Sequence, residues 1–187
     1  MGDRQESGKI MNGETGRKGM PHMEGIIFRS QTEEDIPFLL QAFYTSRDYE
    51  MDLVQWDPEM RKAFLAQQFH AQRIHYTTHY PDADFLIMEM NGAPIGRVYL
   101  DLQGDPILLM DIIVIPSHRN LGIGTAVIRS LLALAKRENS RVRIYVEKLN
   151  PALRLYQRLG FATEEDTGPH YLMYYTPGAK APRDNVS

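Results

Sequence analysis

The sequence has 187 residues, a formal net charge of −3 and no cysteine. This length fits one domain with a sizeable hydrophobic core. The composition excludes disulfides, thiol nucleophiles and cysteine-ligated zinc, and the scattered basic residues form no nucleic-acid or polybasic membrane surface.

The ends of the chain differ in composition from its middle. Residues 1–25 are rich in glycine and charge, which predicts a disordered tail, because such a segment buries too little surface to offset the entropy of ordering. We expect a second flexible tail at 177–187 and one folded domain at 26–176. The sequence shows no run of ~20 apolar residues and no signal-peptide core, so we expect a cytoplasmic protein without a membrane partner.

The first predicted elements are a strand and two helices. An apolar-rich stretch at 25–30 predicts a strand, and residues 32–47 predict a helix with a capping pattern at Thr32. A second helix is predicted over 57–80, since Asp57 suits the N-cap position and a proline follows it.

Three apolar runs follow, at 84–90, 94–103 and 107–115. An Asn-Gly pair separates the first two runs and a Gly-Asp pair separates the last two. Both dipeptides are typical of hairpin turns, so the three runs are predicted to form an antiparallel meander.

The remainder of the chain alternates between helices and strands. Its predicted elements are a helix beginning near Gly122, a strand at 141–147, a short helix at 151–160 and two strands at 161–166 and 170–175. The complete order is β-α-α-β-β-β-α-β-α-β-β, which belongs to the α/β class in its broad sense.

The third predicted helix begins with two glycines, each of which costs about 1 kcal/mol relative to alanine inside a helix. A helix N-terminus offers unpaired N–H groups and a partial positive charge, so Gly122 and Gly124 would let a phosphate approach the backbone. Arg119 would add a cation and Thr125 a hydroxyl donor. A tight strand-to-helix corner packed against the sheet explains the Gly-x-Gly pattern equally well.

Two phosphate-binding motifs fit this turn poorly. A Walker loop needs Lys and then Ser or Thr directly after its last glycine, and the sequence has Thr125-Ala126 instead. A dinucleotide-binding fold would use an acid about 20 residues further on, near Glu147, but Val127 stands at the third glycine position. The preceding strands are also joined by hairpins rather than helical crossovers, so an NAD-binding protein is disfavoured.

A family resemblance accounts for the turn better. "RNLGIG" at 119–124 resembles the Arg/Gln-x-x-Gly-x-Gly/Ala signature of the GNAT superfamily of N-acetyltransferases. "NPALRLYQRLGF" at 150–161 resembles the second family signature, Asn-x-x-Ala-x-x-Leu-Tyr-x-x-x-Gly-Phe, with Ala152 one position early. The resemblance covers about residues 26–175. It implies a mixed, mostly antiparallel central sheet of about seven strands, flanked by about four helices, with splayed central strands.

The resemblance also implies that acetyl-CoA is the co-substrate and that the site uses no metal. In the family the pantetheine arm lies between the splayed strands, which here implies pairing with the backbone of Ile112, Ile113 and Val114. Asn150 would contact the cofactor near its thioester, and Tyr156 would protonate the departing thiolate. The pyrophosphate would be held by the residues of the turn, namely Arg119, Asn120, Leu121, Gly122, Ile123, Gly124 and Thr125.

The implied reaction is acetyl transfer to a primary amine by direct attack in a ternary complex. An ammonium with a pKa of about 10 must first lose a proton, so a base is needed. Asp111 is the lone charge in an apolar strand, which makes it a candidate for the base or for an amine anchor. A structural carboxylate with satisfied hydrogen bonds is an equal alternative, and Glu89 and Glu147 are weaker candidates.

The acceptor is less constrained than the cofactor. The segment from Tyr44 to Pro58 combines aromatic residues with carboxylates and would suit a cationic amine, on a small molecule or a peptide. An acidic surface loop is an equal alternative. His75 and His79 lie one helical turn apart and are interpreted as a surface face rather than a metal site. A homodimer, and a non-catalytic acyl-CoA-binding module of the same fold, remain open.

Overall fold

The computed structural model describes residues 25–47 and 56–179. The predicted tails fall almost wholly outside these ranges, as do residues 48–55. The seven strands described are β1 Ile27–Ser30, β2 Asp84–Met90, β3 Ala93–Asp101, β4 Ile107–Val114, β5 Val142–Glu147, β6 Ala162–Asp166 and β7 His170–Tyr175. The α-helices described are α1 Ile36–Ser46, α2 Pro58–His79, α3 Ile123–Glu138 and α4 Leu153–Arg158.

The strands form one sheet in the order β1-β2-β3-β4-β5-β7-β6. Every neighbouring pair is antiparallel except β4 and β5, which are parallel. The predicted element order and the mixed, mostly antiparallel fold class are confirmed. The Asn91-Gly92 hairpin is also confirmed, since both residues have a positive φ, 52° and 75°, as a tight two-residue turn requires.

The two central parallel strands separate along their length. Residues 107–109 of β4 pair with residues 142–144 of β5, and the pairing ends there although both strands continue. A bulge accompanies the separation, because Leu100 pairs with Leu109 and Tyr99 with Asp111, which leaves Met110 as the extra residue. The expected splayed strands are therefore present, and a gap opens beside the second half of β4.

The sheet is covered differently on its two faces. A large apolar cluster joins α3 to one face through residues such as Val127, Ile128 and Leu131. A smaller cluster lies under α1 and α2 on the other face and consists of Leu39, Phe43, Leu65, Phe69 and Ile87. The alternation of side chains along β2 produces this division, because Ile87 belongs to the smaller cluster while Leu86 and Met88 belong to the larger one.

The second helix starts where its sequence predicted. The Asp57 carboxylate accepts a hydrogen bond from the backbone N–H of Glu59 at 2.9 Å, which satisfies one of the donors exposed at a helix start. Within residues 25–47 and 56–179, no helix combines the length and apolar character that crossing a membrane requires.

Candidate active site

The turn between β4 and α3 presents a row of free backbone donors. The N–H groups of residues 120–125 donate to no described residue, and the first helical bond runs from the Ala126 N–H to the Gly122 carbonyl at 2.9 Å. Asn120 and Gly122 are left-handed, with φ of 62° and 81°. Such alternation produces concave N–H arrays that bind anions, and the positive end of α3 adds to the attraction.

Glycine occupies the two positions of this turn for different physical reasons. Gly122 has a positive φ, which a side chain makes costly. Gly124 has an ordinary φ, and a Cβ placed on it would meet no atom within 4 Å. The packed corner considered from the sequence therefore does not explain Gly124. Open space over free N–H groups is what a phosphate ligand requires.

Arg119 lies beside the turn but is bound to the protein itself. Its Nε donates to the Val114 carbonyl at 2.9 Å and its Nη2 donates to the Thr45 carbonyl at 2.9 Å. The side chain thus joins the end of β4 to the last turn of α1. Its charge remains near the turn, whereas a bidentate contact with an anion would compete with these bonds.

The second half of β4 has one free edge. Ile113 faces β3, because its carbonyl points at Gly96 and its neighbour Ile115 donates to the Ile95 carbonyl at 3.0 Å. Backbone groups alternate along a strand, so those of Ile112 and Val114 point into the gap. Ile112 and Val114, rather than Ile113, therefore present backbone groups to an extended ligand, although the Val114 carbonyl already accepts from the Arg119 Nε.

A cavity of about 470 Å³ opens beside this edge. Its walls come from α1, α2, β3, β4, β5 and the start of β7, and its charged or titratable lining residues are Arg47, His75, Tyr76, Tyr80, Arg97, Asp111, Tyr145, Glu147 and His170. Asn150 also lines it. The cavity therefore brings together residues from distant parts of the sequence.

Asp111 is paired inside this cavity with Arg97, which the sequence reasoning missed. The Arg97 side chain is 0% exposed, and its Nε donates to the Asp111 Oδ2 at 2.7 Å. Its Nη2 donates to the Gln72 Oε1 at 2.8 Å. Burial lowers the pKa of Arg97. The neighbouring groups, Asp111 first, more than offset this effect, so the pKa of Arg97 is raised overall. One signal could have indicated Arg97, since it is the only charge within β3 before the terminal Asp101.

The other oxygen of Asp111 remains available. The side chain is 19% exposed to the cavity, and Oδ1 accepts no hydrogen bond from a described residue. Asp111 is therefore a structural partner of Arg97 through one oxygen and a free acceptor through the other. The sequence left two roles open for Asp111, a structural carboxylate and a base or amine anchor. This geometry is compatible with both.

A hydroxyl from α2 holds the bulge of β4. Tyr76 donates to the Met110 carbonyl at 3.2 Å, and its pKa is raised by burial and then by the charge of Asp111. Since Gln72 lies one turn earlier on the same helix, α2 contacts both the bulge and the Arg97–Asp111 pair. The gap beside β4 thus depends on tertiary contacts with α2.

The two predicted residues of the second signature differ in whether they reach the cavity. Asn150 lines the cavity, and its Oδ1 accepts from the Ala152 N–H at 2.8 Å, which fixes the start of α4. Tyr156 is 7% exposed, packs edge-on against Phe161 and does not line the cavity. Its hydroxyl makes no hydrogen bond to a described residue. Burial, and then the charge of Asp111, raise the pKa of Tyr156, which keeps it protonated.

The structure also joins Glu147 to two residues that the sequence did not single out. Arg47 of α1 forms an ion pair with Glu147, and the Nε2 of His170 lies 3.8 Å from the Glu147 Oε1. Glu89, by contrast, accepts from the Arg29 Nε at 2.7 Å and does not line the cavity.

The expected acceptor segment is only partly described. Tyr44, Trp56 and Asp57 do not line the cavity, and the residues between them at 48–55 lie outside the described ranges. His75 lines the cavity and stacks on His79, with ring centroids 4.4 Å apart. In the part of the chain that the structure describes, no three side chains of the metal-ligating types are grouped to hold an ion.

These features define an open mixed α/β sheet whose central parallel pair splays beside a turn of the kind that binds anions. Comparison with known proteins gives the family. The profile of the acetyltransferase (GNAT) family matches residues 42–161, and the chain belongs to that family of enzymes.

Individual relatives agree with this assignment. An uncharacterized N-acetyltransferase of Methanocaldococcus jannaschii is 34% identical over 90 residues, which cover 43% of this chain and 40% of that protein. N-acetyltransferase family 8 member 3 of Mus musculus is 27% identical over 139 residues, covering 70% and 59%. The chain therefore spans roughly half the length of these curated relatives.

Solved structures share the fold. The paiA N-acetyltransferase of Thermoplasma acidophilum, solved in complex with coenzyme A, has a TM-score of 0.64 at 18% identity and matches 81% of this chain and 98% of its own. A GCN5-related N-acetyltransferase of Rhodopseudomonas palustris has a TM-score of 0.58 at 18% identity, with 84% and 99% covered. The sheet described above is thus the sheet of this family.

Proposed function

We propose that this chain transfers an acetyl group from acetyl-CoA to a primary amine, which attacks directly while both substrates are bound. The observation that carries the proposal is the row of free N–H groups at residues 120–125, open to solvent beside the splayed edge of β4. Acetyl-CoA matches this arrangement, because its pyrophosphate is an anion and its pantetheine amides can pair with a strand edge.

Each side of the gap has its own role in this proposal. The turn binds the pyrophosphate, Ile112 and Val114 pair with the pantetheine arm, and Asn150 contacts its thioester end. Asp111 anchors the acceptor amine through its free Oδ1. Tyr156 supplies a proton to the departing sulfur. Its raised pKa keeps the hydroxyl protonated at neutral pH, and the hydroxyl is not hydrogen-bonded to a described residue.

Two measurements test the proposal. In a thermal-shift experiment, acetyl-CoA at about 100 times its Kd should stabilise the protein by about 2.7 kcal/mol, and NAD should not. A panel of amines and peptides should then release free CoA with at least one acceptor. Tight acetyl-CoA binding without turnover on any amine would instead favour a non-catalytic acyl-CoA-binding module.

The role of Tyr156 has a separate test. Tyr156→Phe keeps the ring that packs on Phe161 and removes only the proton donor. We expect kcat to fall by about 100-fold or more, with the acetyl-CoA Kd and the melting temperature unchanged. A folded variant with the wild-type kcat would exclude Tyr156 as the acid.

A further inference from the structure

His170 and Glu147 form a pair of side chains at the mouth of the splay. They lie directly opposite each other in the antiparallel ladder of β5 and β7. The Nε2 of His170 is 3.8 Å from the Glu147 Oε1, and both side chains line the cavity that contains Asp111. On the other side, Glu147 forms an ion pair with Arg47 of α1. An imidazole is therefore held beside a fixed carboxylate at the site of the reaction.

The backbone before His170 is fixed by hydrogen bonds. Lys148 donates its N–H to the Pro169 carbonyl at 3.1 Å and its Nζ to the Asp166 Oδ2 at 2.8 Å. The Thr167 hydroxyl donates to the His170 carbonyl at 3.0 Å. The imidazole therefore projects from a well-anchored strand start, which is what a precisely placed catalytic group requires.

The other candidate proton acceptors of the cavity either have another role or lack a described carboxylate partner. One oxygen of Asp111 is bound by Arg97, and its other oxygen is the proposed amine anchor. Tyr76 donates to a carbonyl and has a raised pKa. His75 is stacked on His79 along the exposed side of α2 and has no carboxylate partner among the described residues. His170 combines cavity access, with 38% of its side chain exposed, and a partner for its charged form.

Resting on the acetyl transfer proposed above, we infer that His170 is the general base, which takes a proton from the acceptor ammonium directly or through one bound water. Imidazole exchanges protons readily near neutral pH, and a neighbouring carboxylate stabilises the imidazolium that forms. Glu147 is that neighbouring carboxylate, and it acts as a positioning residue.

The step balances. One N–H bond of the ammonium breaks and one N–H bond forms on the imidazole ring. The freed lone pair forms the new C–N bond to the acetyl carbon, the C–S bond breaks, and sulfur leaves with its electrons and receives the proton of Tyr156. The nitrogen then loses its second excess proton to solvent, and Tyr156 regains a proton from solvent, so that the net products are the amide, free CoA and one proton. His170 later returns its proton to solvent, which its exposure at the cavity mouth allows.

Charged and titratable groups surround His170 on several walls of the cavity. Glu147 lies opposite it in the ladder and is paired with Arg47, which follows α1. The remaining charged or titratable groups of the cavity are Asp111, Arg97, His75, Tyr76, Tyr80 and Tyr145. The Glu147 carboxylate lies 3.8 Å from the imidazole, so its removal tests how the imidazole is positioned.

The test compares pH profiles of kcat/KM for one amine, since the ionisation of the amine is then common to all variants. His170→Gln should lower kcat/KM by about 100-fold at neutral pH, remove the ascending limb due to the base, and leave the acetyl-CoA Kd unchanged. His170→Ala should regain activity with added imidazole. Glu147→Gln should lower kcat with little change in KM, because the imidazole loses the carboxylate that positions it.

His75→Gln is the matched comparison, since it removes the other imidazole of the cavity. The inference is overturned if His170→Gln stays within threefold of wild type with an unchanged limb, or if the loss and the imidazole rescue follow His75 instead. A wild-type protein that binds acetyl-CoA but acetylates no amine would overturn the proposed function itself. The two failures are therefore distinguishable by whether wild type turns over.

Discussion

The two sides of the gap are built from different kinds of atoms. The side proposed to bind the cofactor consists of backbone groups from a short continuous stretch, residues 119–125, and from one strand edge. The acceptor side consists of side chains from six elements, including Arg47, Arg97, Asp111 and His170. The turn of the first side needs only a local conformation, whereas the strand edge and the second side need the sheet and its neighbouring helices to be in register.

The difference extends to charge and burial. The turn offers N–H donors and the positive end of a helix dipole, so it needs no charged group in a low-dielectric interior. On the acceptor side, Arg97 is wholly buried under Phe43, Phe69 and Tyr99 and depends on Asp111 for its counter-charge. We therefore expect mutations on the cofactor side to affect binding, and mutations on the acceptor side to affect stability and chemistry together.

The largest effect should come from breaking the buried pair. Asp111→Asn leaves a fully buried guanidinium without its counterion and should lower the free energy of unfolding by about 3 to 5 kcal/mol. Arg97→Met should cost less, about 1 to 3 kcal/mol, because Asp111 is 19% exposed and can be hydrated.

A double-mutant cycle in urea measures this asymmetry. The double variant should be clearly more stable than the sum of the single losses predicts, since it leaves no uncompensated buried charge. Simple additivity of the two losses would mean that the pair is not coupled.

Filling the open space at Gly124 should separate binding from stability. Gly124→Leu places a side chain over the free N–H groups and should weaken acetyl-CoA binding by about 100-fold, through loss of charge-assisted hydrogen bonds. The melting temperature should not fall, because leucine is about 0.8 kcal/mol better than glycine in a helix. Calorimetric titration and thermal unfolding give the two values.

Ala133→Leu is the matched control, on the exposed side of the same helix. It should leave the acetyl-CoA Kd unchanged. Equal affinity in the Gly124 variant would show that the turn does not hold the pyrophosphate.

A second ion pair, between Arg29 and Asp35, makes the free energy of unfolding depend on pH. Asp35 is buried and accepts from the Arg29 Nη1 and Nη2 at 2.7 Å each, as well as from the Thr32 N–H. The Arg29 hydrogen bonds lower the pKa of Asp35 to about 2. Because this pKa lies below its unfolded value, the stabilisation is complete above about pH 4 and is lost as the pH falls toward 2.

Unfolding experiments between pH 5 and pH 2 should show this loss as about 1 to 2 kcal/mol, which allows for the partial exposure of Arg29. Asp35→Asn should lack that part of the slope. Glu34→Gln changes an exposed carboxylate in the same turn and should retain it. An unaltered slope in the Asp35 variant would mean that other carboxylates cause the acid sensitivity.

The smallest effect should come from the hydroxyl that holds the bulge. Tyr76→Phe removes the donor to the Met110 carbonyl and should cost about 1 kcal/mol of stability. Tyr44→Phe removes a similar bond to the Lys62 carbonyl at the surface and should cost close to nothing. Chemical denaturation compares them, and equal costs would remove the special role given to the bulge.

The sequence by itself determined the element order and the cofactor turn. Amphipathic periodicity, capping residues and hairpin dipeptides act over a few neighbouring positions, so the strands and helices formed close to where they were predicted. The turn at 119–125 is equally local, because Gly122 must adopt a left-handed conformation that only a few residue types tolerate. Continuous backbone sites can be identified in a sequence for this reason.

Only the tertiary structure decided the acceptor side. Arg97 meets Asp111 because β3 and β4 pair in one register, with a bulge that shifts it by one residue at Met110. His170 lies opposite Glu147 because β7, and not β6, is the strand beside β5. A hairpin sequence does not specify which of its two strands joins the sheet, and a shift of one residue reverses the facing of every side chain. The contacts that build this side are therefore set by packing and strand order across the whole domain.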